Sequence, residues 1–189
     1  MITSNFSLLS HSAEETEQIA KALAKHLNAP IKIALDGDLG AGKTCFMRGL
    51  AGYFGAESEV SSPTYAIAHT YPTQPPIHHL DLYRVQNQDL EDLGVLSLVE
   101  DEQAIVCVEW SQNRPELREK LDIQIQFVIP AESHPGEGQG LDSGLRQNDN
   151  MGLDTNNTRQ IEFSFSERFS KDRALTIERD LLSLFMNAG

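Results

Sequence analysis

Ile31-Lys32-Ile33-Ala34-Leu35-Asp36-Gly37-Asp38-Leu39-Gly40-Ala41-Gly42-Lys43-Thr44 is the stretch that decides the fold. Its first part holds the apolar residues Ile31, Ile33, Ala34 and Leu35, a run long enough for a buried strand and too short for a helix. Its second part, GDLGAGKT at 37–44, fits the pattern GxxxxGK[ST], and Thr44 to Phe54 reads as a helix. A glycine-rich turn between a strand and a helix start is the context that marks this pattern as a phosphate-binding loop. Each residue type has a physical reason to be there. Glycines let successive backbone N–H groups turn inward on phosphate oxygens where a side chain would collide. The helix N-terminus adds partial positive charge. A lysine at position 43 reaches the β- and γ-phosphates, and the Thr44 hydroxyl can ligate Mg²⁺. Asp38, Leu39, Gly40, Ala41, Gly42, Lys43, Thr44 and Cys45 are therefore the expected phosphate-binding set. The pattern points to a nucleotide-binding protein.

Upstream, Asn5 to Leu9 reads as a short strand, and Ile19, Ala20, Leu23, Ala24 and Leu27 form one apolar stripe of a helix. Ser12 with Glu15 has the shape of a capping box, and Asn28 before Pro30 marks the expected helix end. Downstream, Ser61 to Pro76 reads as an ordered loop with short extended pieces, Ile77 to Tyr83 as a strand, and Asp89 to Leu98 as a short helix or pair of turns. Ala104 to Trp110 is a buried strand with no polar face. Leu121 to Ile129 alternates, and Ile161, Phe163 and Phe165 repeat the alternation, so these runs are expected to pair antiparallel. Ala174, Ile177, Leu181 and Leu184 give a closing helix. Between the paired runs, residues 131–157 are rich in glycine and acids, with Arg146 the one Lys or Arg. Such a segment cannot bury enough surface to offset its ordering entropy and reads as a mobile insertion. The expected architecture is α/β: a P-loop NTPase three-layer fold, with a mostly parallel central sheet and an antiparallel C-terminal strand pair, in a single domain over residues 1–189.

The 189 residues carry 15 Lys+Arg against 28 Asp+Glu, a net charge of −13, which disfavours stable binding to DNA or bare RNA. Cys45 and Cys107 do not form a CxxC pair, so a disulfide scaffold or cysteine-rich zinc site is not expected. Met1 to Ser12 has neither a basic region nor an apolar run of signal length, and no run of about 18 apolar residues occurs. A cytoplasmic protein without a membrane span is the expectation.

A phosphate loop needs an acid to position its metal, and two strand ends offer one: Glu109 and Asp81. Thr64, in Ser61-Ser62-Pro63-Thr64-Tyr65, lies where a switch threonine would meet the γ-phosphate. His78 and His79 are adjacent in a strand and point to opposite faces, so they cannot jointly ligate one metal. They read as structural or surface groups. Trp110 reads as a packing residue whose place beside Glu109 invites a site role. Glu119-Lys120-Leu121-Asp122 lacks the asparagine of a guanine-reading motif. An acidic 131–157 segment is a poor lid for a small-molecule kinase, and no glycine-rich transporter signature precedes the strand ending at Glu109.

GDLGAGKT at 37–44 with Phe46, Arg48 and Gly49, then SPTY at 62–65, HLDLYR at 79–84 and VEW at 108–110, resemble in order and spacing the TsaE (YjeE) family. That family is the ATPase of bacterial tRNA threonylcarbamoyladenosine (t⁶A) synthesis. The resemblance covers roughly residues 8 to 130 and resumes near Arg159. It implies ATP and Mg²⁺ as cofactors and ATP hydrolysis as the activity. Its partners are TsaB and TsaD, with tRNA reached only through the complex. TsaD transfers threonylcarbamoyl to adenosine 37 of tRNAs reading codons that begin with A, and the TsaE-like subunit is thought to reset the complex between turnovers. Carried over by position, Thr44 and Glu109 are the Mg²⁺ ligands, Lys43 the phosphate lysine, Asp81 an essential acid beside the metal, Thr64 the switch threonine and Trp110 the adjoining tryptophan. Ser12, Ala13 or Thr16, and Arg159, are the candidates for adenine contact. Cys45 departs from the Thr or Ser usual after GKT, and 131–157 from the usual short turn. Two rival readings are a nucleotide-gated interaction module with incidental turnover and a small-molecule kinase.

Overall fold

The computed structural model describes residues 2–60, 67–85, 90–130 and 158–186. Thr64, the rest of the 61–65 switch segment and the 131–157 insertion lie outside the described residues. In chain order the elements are β1 (Ile2–Ser10), α1 (Ala13–Ala24), β2 (Ile31–Gly37), α2 (Lys43–Tyr53), β3 (Ala68–Tyr71), β4 (Ile77–Asp81), α3 (Val95–Val99), β5 (Ile105–Glu109), α4 (Pro115–Arg118), β6 (Ile123–Val128), β7 (Arg159–Ser166) and α5 (Lys171–Met186). Seven strands form one sheet in the order β1-β7-β6-β2-β5-β4-β3. β2 runs parallel to β5 and β6, and β5 parallel to β4. The β6–β7, β7–β1 and β3–β4 pairs are antiparallel. The expected mixed α/β sheet with a parallel centre is present.

Strand alternation assigns each side chain to a layer. Ile33, Leu35, Ile105, Cys107, Ile123, Ile125 and Phe127 join the core that includes residues of α1, α2 and α5. Ala34, Leu80, Val106 and Val108 join a second core with Val95 and Val99 of α3 and Leu117 of α4. β2 and β5 therefore carry apolar residues on both faces, which is why they read as near-continuous apolar runs. On β6, by contrast, Gln124 is half-buried and Gln126 exposed, so one face of that strand is left to water.

α1 begins where the capping pattern placed it: the Ser12 side chain accepts the Glu15 N–H at 3.1 Å, and Glu15 accepts the His11 N–H at 2.7 Å. It ends at Ala24, four residues before Asn28. The chain tightens there, with His26 N–H bonding Leu23 O and Leu27 N–H bonding Ala24 O, while Leu27 stays buried. The 89–98 stretch, expected as a short helix or pair of turns, forms a turn over 90–94 that leads through Gly94, at φ 69°, into the short helix Val95–Val99. α1 and α2 cross closely at Gly49, where an added Cβ would sit 2.3 Å from Glu17 O. The Arg48–Glu17 ion pair at 2.9 Å joins the same two helices. This contact holds α2, which carries Lys43, close against α1. Among the described residues, no helix is long and apolar enough to cross a membrane.

Candidate nucleotide site

The loop between β2 and α2 begins at Gly37, whose φ is 145° and where a Cβ would fall 2.6 Å from Phe127 O on β6. Gly42, at φ 109°, is the cap residue of α2 and supplies no side-chain hydrogen bond. The first-turn N–H groups of α2 are thereby left for an anion or water, with the helix dipole behind them. Lys43 is the first residue of α2 and is 5% exposed. Its Nζ donates to Gly37 O at 2.8 Å and Asp38 O at 2.9 Å, and lies 4.3 Å from the centre of the Trp110 ring. Burial pushes the Lys43 pKa down, opposed by the negative charges of Glu109, Asp81, Asp36 and Asp38.

Both candidate acids reach this place because of register. β4 and β5 pair in parallel with Asp81 opposite Glu109, and β2 places Leu35 opposite Glu109. In-register neighbours share a sheet face, so Asp81 and Glu109 project on the face that α2 covers. Glu109 is 3% exposed, and its Oε1 accepts a hydrogen bond from His79 Nε2 at 2.9 Å. Asp81 is half-buried and accepts the Tyr83 N–H at 2.9 Å. Its carboxyl pKa is raised, first by burial and then by the Glu109 charge, against the lowering effects of the Tyr83 N–H, His79 and Lys43. Asp81, Glu109 and the hydroxyl of Thr44, in the first turn of α2, offer hard oxygen donors. That chemistry suits Mg²⁺, which binds through one or two carboxylates and takes further oxygens from phosphates and water.

The turn after β5 completes the wall. Trp110 has φ 60° and ψ 37°, uncommon for a bulky residue, and this sharp turn brings its ring beside Lys43. Tyr83, itself exposed, sets its ring 4.8 Å from that of Trp110. Asp36, 5% exposed, accepts the Ser111 hydroxyl at 2.8 Å and so ties the end of β2 to this turn. Burial raises the Asp36 pKa, against the lowering effect of those hydrogen bonds.

The remaining candidates sit at the edge of the loop. Arg159, at the start of β7, points Nη2 at Gly40 O, 3.5 Å away. The Thr16 methyl is 4.0 Å from where a Gly42 Cβ would be, and its hydroxyl is 2.7 Å from that of Ser10. Ser12 uses its hydroxyl to cap α1, Ala13 is exposed, and Cys45 is half-buried on α2. The structure thus gathers Lys43, Asp81, Glu109 and Trp110 around the loop, with Arg159 at its crest. Sequence reasoning missed His79, Tyr71 and Asp36. His79 lies two residues before Asp81 and hence on its face, but only the pairing of β4 with β5 puts it against Glu109. His78 points the other way, to Thr70 at 2.9 Å and Asp101 at 3.0 Å.

Residues 10–134 match the sequence model of the family described as threonylcarbamoyl adenosine biosynthesis protein TsaE. The chain is 36% identical over 119 residues to the tRNA threonylcarbamoyladenosine biosynthesis protein TsaE of Streptomyces coelicolor, covering 59% of this chain and 79% of that one. It is 38% identical over 116 residues to that of Bacillus subtilis, covering 60% and 72%. For the Haemophilus influenzae protein the identity is 32% over 128 residues, covering 67% and 78%. The crystal structure of YdiB from Bacillus subtilis superposes with a TM-score of 0.61 at 23% identity, covering 95% of this chain and 97% of that one, and so shares the fold. With its phosphate loop, its paired strand-end acids and a match across most of the sheet, this chain belongs to the TsaE family.

Proposed function

We propose that this protein is the Mg²⁺-dependent, ATP-hydrolysing subunit that supports t⁶A formation at adenosine 37 of tRNAs reading A-starting codons, acting in the cytoplasm with TsaB and TsaD. The printed names of its relatives support the pathway. The observation that carries the chemistry is the placement of Lys43, on the phosphate loop, within the field of Asp81 and Glu109 at the ends of β4 and β5.

Lys43 holds two neutral carbonyls, those of Gly37 and Asp38. Phosphate oxygens are charged acceptors and make stronger hydrogen bonds, so a bound triphosphate can draw the ammonium off them. The N–H groups at the start of α2 would cradle the phosphates, and Thr44 and Glu109 would hold Mg²⁺. When bound, Mg²⁺ would neutralise charge developing on the phosphate oxygens. Asp81, with its pKa raised chiefly by burial, accepts a hydrogen bond from the attacking water and orients it. Trp110 walls the site beside Lys43 and limits entry of other water. The products are ADP and phosphate.

The test is phosphate release from ATP by the purified protein with Mg²⁺, alone and with a TsaB–TsaD pair. Stimulation by the pair is expected, with a loss of about 100-fold or more in Lys43→Ala together with weakened nucleotide binding. Unchanged turnover in that variant would sink the site assignment. Tight ATP binding without stimulation would favour a nucleotide-gated module, and a phosphorylated small molecule in place of free phosphate would favour a kinase.

A further inference from the structure

We propose that His79, itself held by Tyr71, is a positioning residue that aims the Glu109 carboxylate at the cation of the nucleotide site. The proposal rests on the reading above that Glu109 is a Mg²⁺ ligand. Three side chains from three adjacent strands form a line: Tyr71 Oη is 3.1 Å from His79 Nδ1, and His79 Nε2 is 2.9 Å from Glu109 Oε1. Tyr71 and His79 are 0% exposed and Glu109 is 3% exposed. β3 pairs Tyr71 with Ile77, two residues from His79, and β4 pairs His79 with Cys107, two residues from Glu109. All three side chains therefore share the face that α2 covers.

Counting donors and acceptors fixes the direction of the bond to Glu109. An ionised carboxylate only accepts, so His79 Nε2 donates to Glu109. At Nδ1 the ring accepts the Tyr71 O–H when neutral and donates to Tyr71 Oη when protonated, and in both cases Nε2–H points at Glu109. Burial pushes the Tyr71 pKa up to about 12, so that hydroxyl keeps its proton to donate. The result is a carboxylate with Oε1 engaged by a ring that the sheet holds rigidly, and Oε2 left for a ligand. Groups that orient a metal ligand in this way commonly account for about 10- to 100-fold in metal affinity. His78 is the internal control: it has the same residue type on the same strand, but it faces Thr70 and Asp101.

The experiment titrates Mg²⁺ against the full-length protein with a fluorescently labelled ADP and reads the half-saturating Mg²⁺ concentration. Label affinity and thermal melting are also measured in EDTA. His79→Leu is expected to raise the Mg²⁺ requirement about tenfold or more while leaving label affinity in EDTA unchanged. His79→Gln, whose amide can still donate to Glu109, should recover most of that loss. Tyr71→Phe should shift the requirement less, in the same direction, and His78→Leu should not shift it. A wild-type Mg²⁺ requirement in His79→Leu overturns the proposal. Equal loss in His79→Leu and His79→Gln, with both melting early in EDTA, also overturns it, because that is the behaviour of a structural residue. Should His79→Leu fail to fold, Tyr71→Phe reads the same line, and an unchanged requirement there is fatal. Glu109→Gln separates this proposal from its premise. No change in Glu109→Gln removes Glu109 from the cation site, whereas a loss there with none in His79→Leu removes only the positioning role.

Discussion

The two halves of the sheet are built to different rules. β2, β5 and β4 are covered on both faces, and among the described residues six of the eight buried polar groups, Asp36, Lys43, His78, His79, Glu109 and Ser111, lie on these strands, on the turn after β5 or at the start of α2; the other two, Ser10 and Thr16, pair with each other at the start of α1. β6, β7 and β1 are covered on one face only. There Ile125, Phe127, Ile161 and Phe163 are buried, while Gln126, Asn5, Ser7 and Leu9 on the other face are exposed. The difference shows where polarity can be put to chemical use. A polar group on the open face is solvated and has no effect on a distant ligand. A carboxylate between two covered layers is desolvated and held by neighbours, so its charge and direction count.

The largest effect expected from breaking this contrast is at Asp81. Asp81→Asn should lower ATP turnover by about 100- to 10,000-fold while retaining nucleotide, and loss of nucleotide binding would mean a structural role instead. Burial raises the wild-type carboxyl pKa and so favours the protonated form that cannot accept from water, so turnover should fall as pH drops. The stability effect has the opposite sense. Between the ordinary and raised values the folded state holds more of the proton than the unfolded state does, so the stability contribution falls as pH rises through that window. Above it, Asp81→Asn should melt no earlier than wild type, which a thermal melt across pH can check.

The next largest effect is structural and belongs to the other half. Phe163, 0% exposed, stacks on Phe6 with ring centres 4.8 Å apart. Phe163→Ala should cost about 3–5 kcal/mol in denaturant unfolding. Ser12→Ala should cost about 1 kcal/mol by removing the cap of α1. If ADP affinity is unchanged when measured below the melting transition, Ser12 is a cap and not an adenine contact. The smallest effect is at Gln126, next to Phe127 but on the open face. Gln126→Ala should stay within about 0.5 kcal/mol of wild type, and a larger loss would mean that this face is covered in solution.

The same contrast explains what could be read in advance. Period-two alternation in Leu121–Ile129 and Ile161–Phe165 foretold one covered face and an antiparallel pair, as β6 and β7 show. The unbroken run Ile105–Val108 foretold a strand covered twice. The phosphate loop was legible because its chemistry is local: glycine conformations, a helix start and one lysine within eight residues. Asp81 and Glu109 were legible as strand-end acids and as members of the family's motif blocks. The boundary of α1 was not, because a favourable local signal at Asn28 gave way to a tight turn that keeps Leu27 buried.

The chain alone determined the α/β order, the loop that can hold phosphate and the identity of the acids. Backbone dihedrals, side-chain period and glycine positions are properties of neighbours in sequence, so a linear reading recovers them. Which side chains face each other across strands was decided by the tertiary structure. The pairing of β4 with β5, and of β3 with β4, brings Tyr71, His79 and Glu109 into line from positions 8 and 30 residues apart. The left-handed turn at Trp110 brings its ring beside Lys43, and the close crossing at Gly49 sets the helix that carries that lysine. Such contacts depend on register and packing between distant segments, and a one-residue slip of β4 alone would carry His79 and Asp81 to the opposite face, away from Glu109.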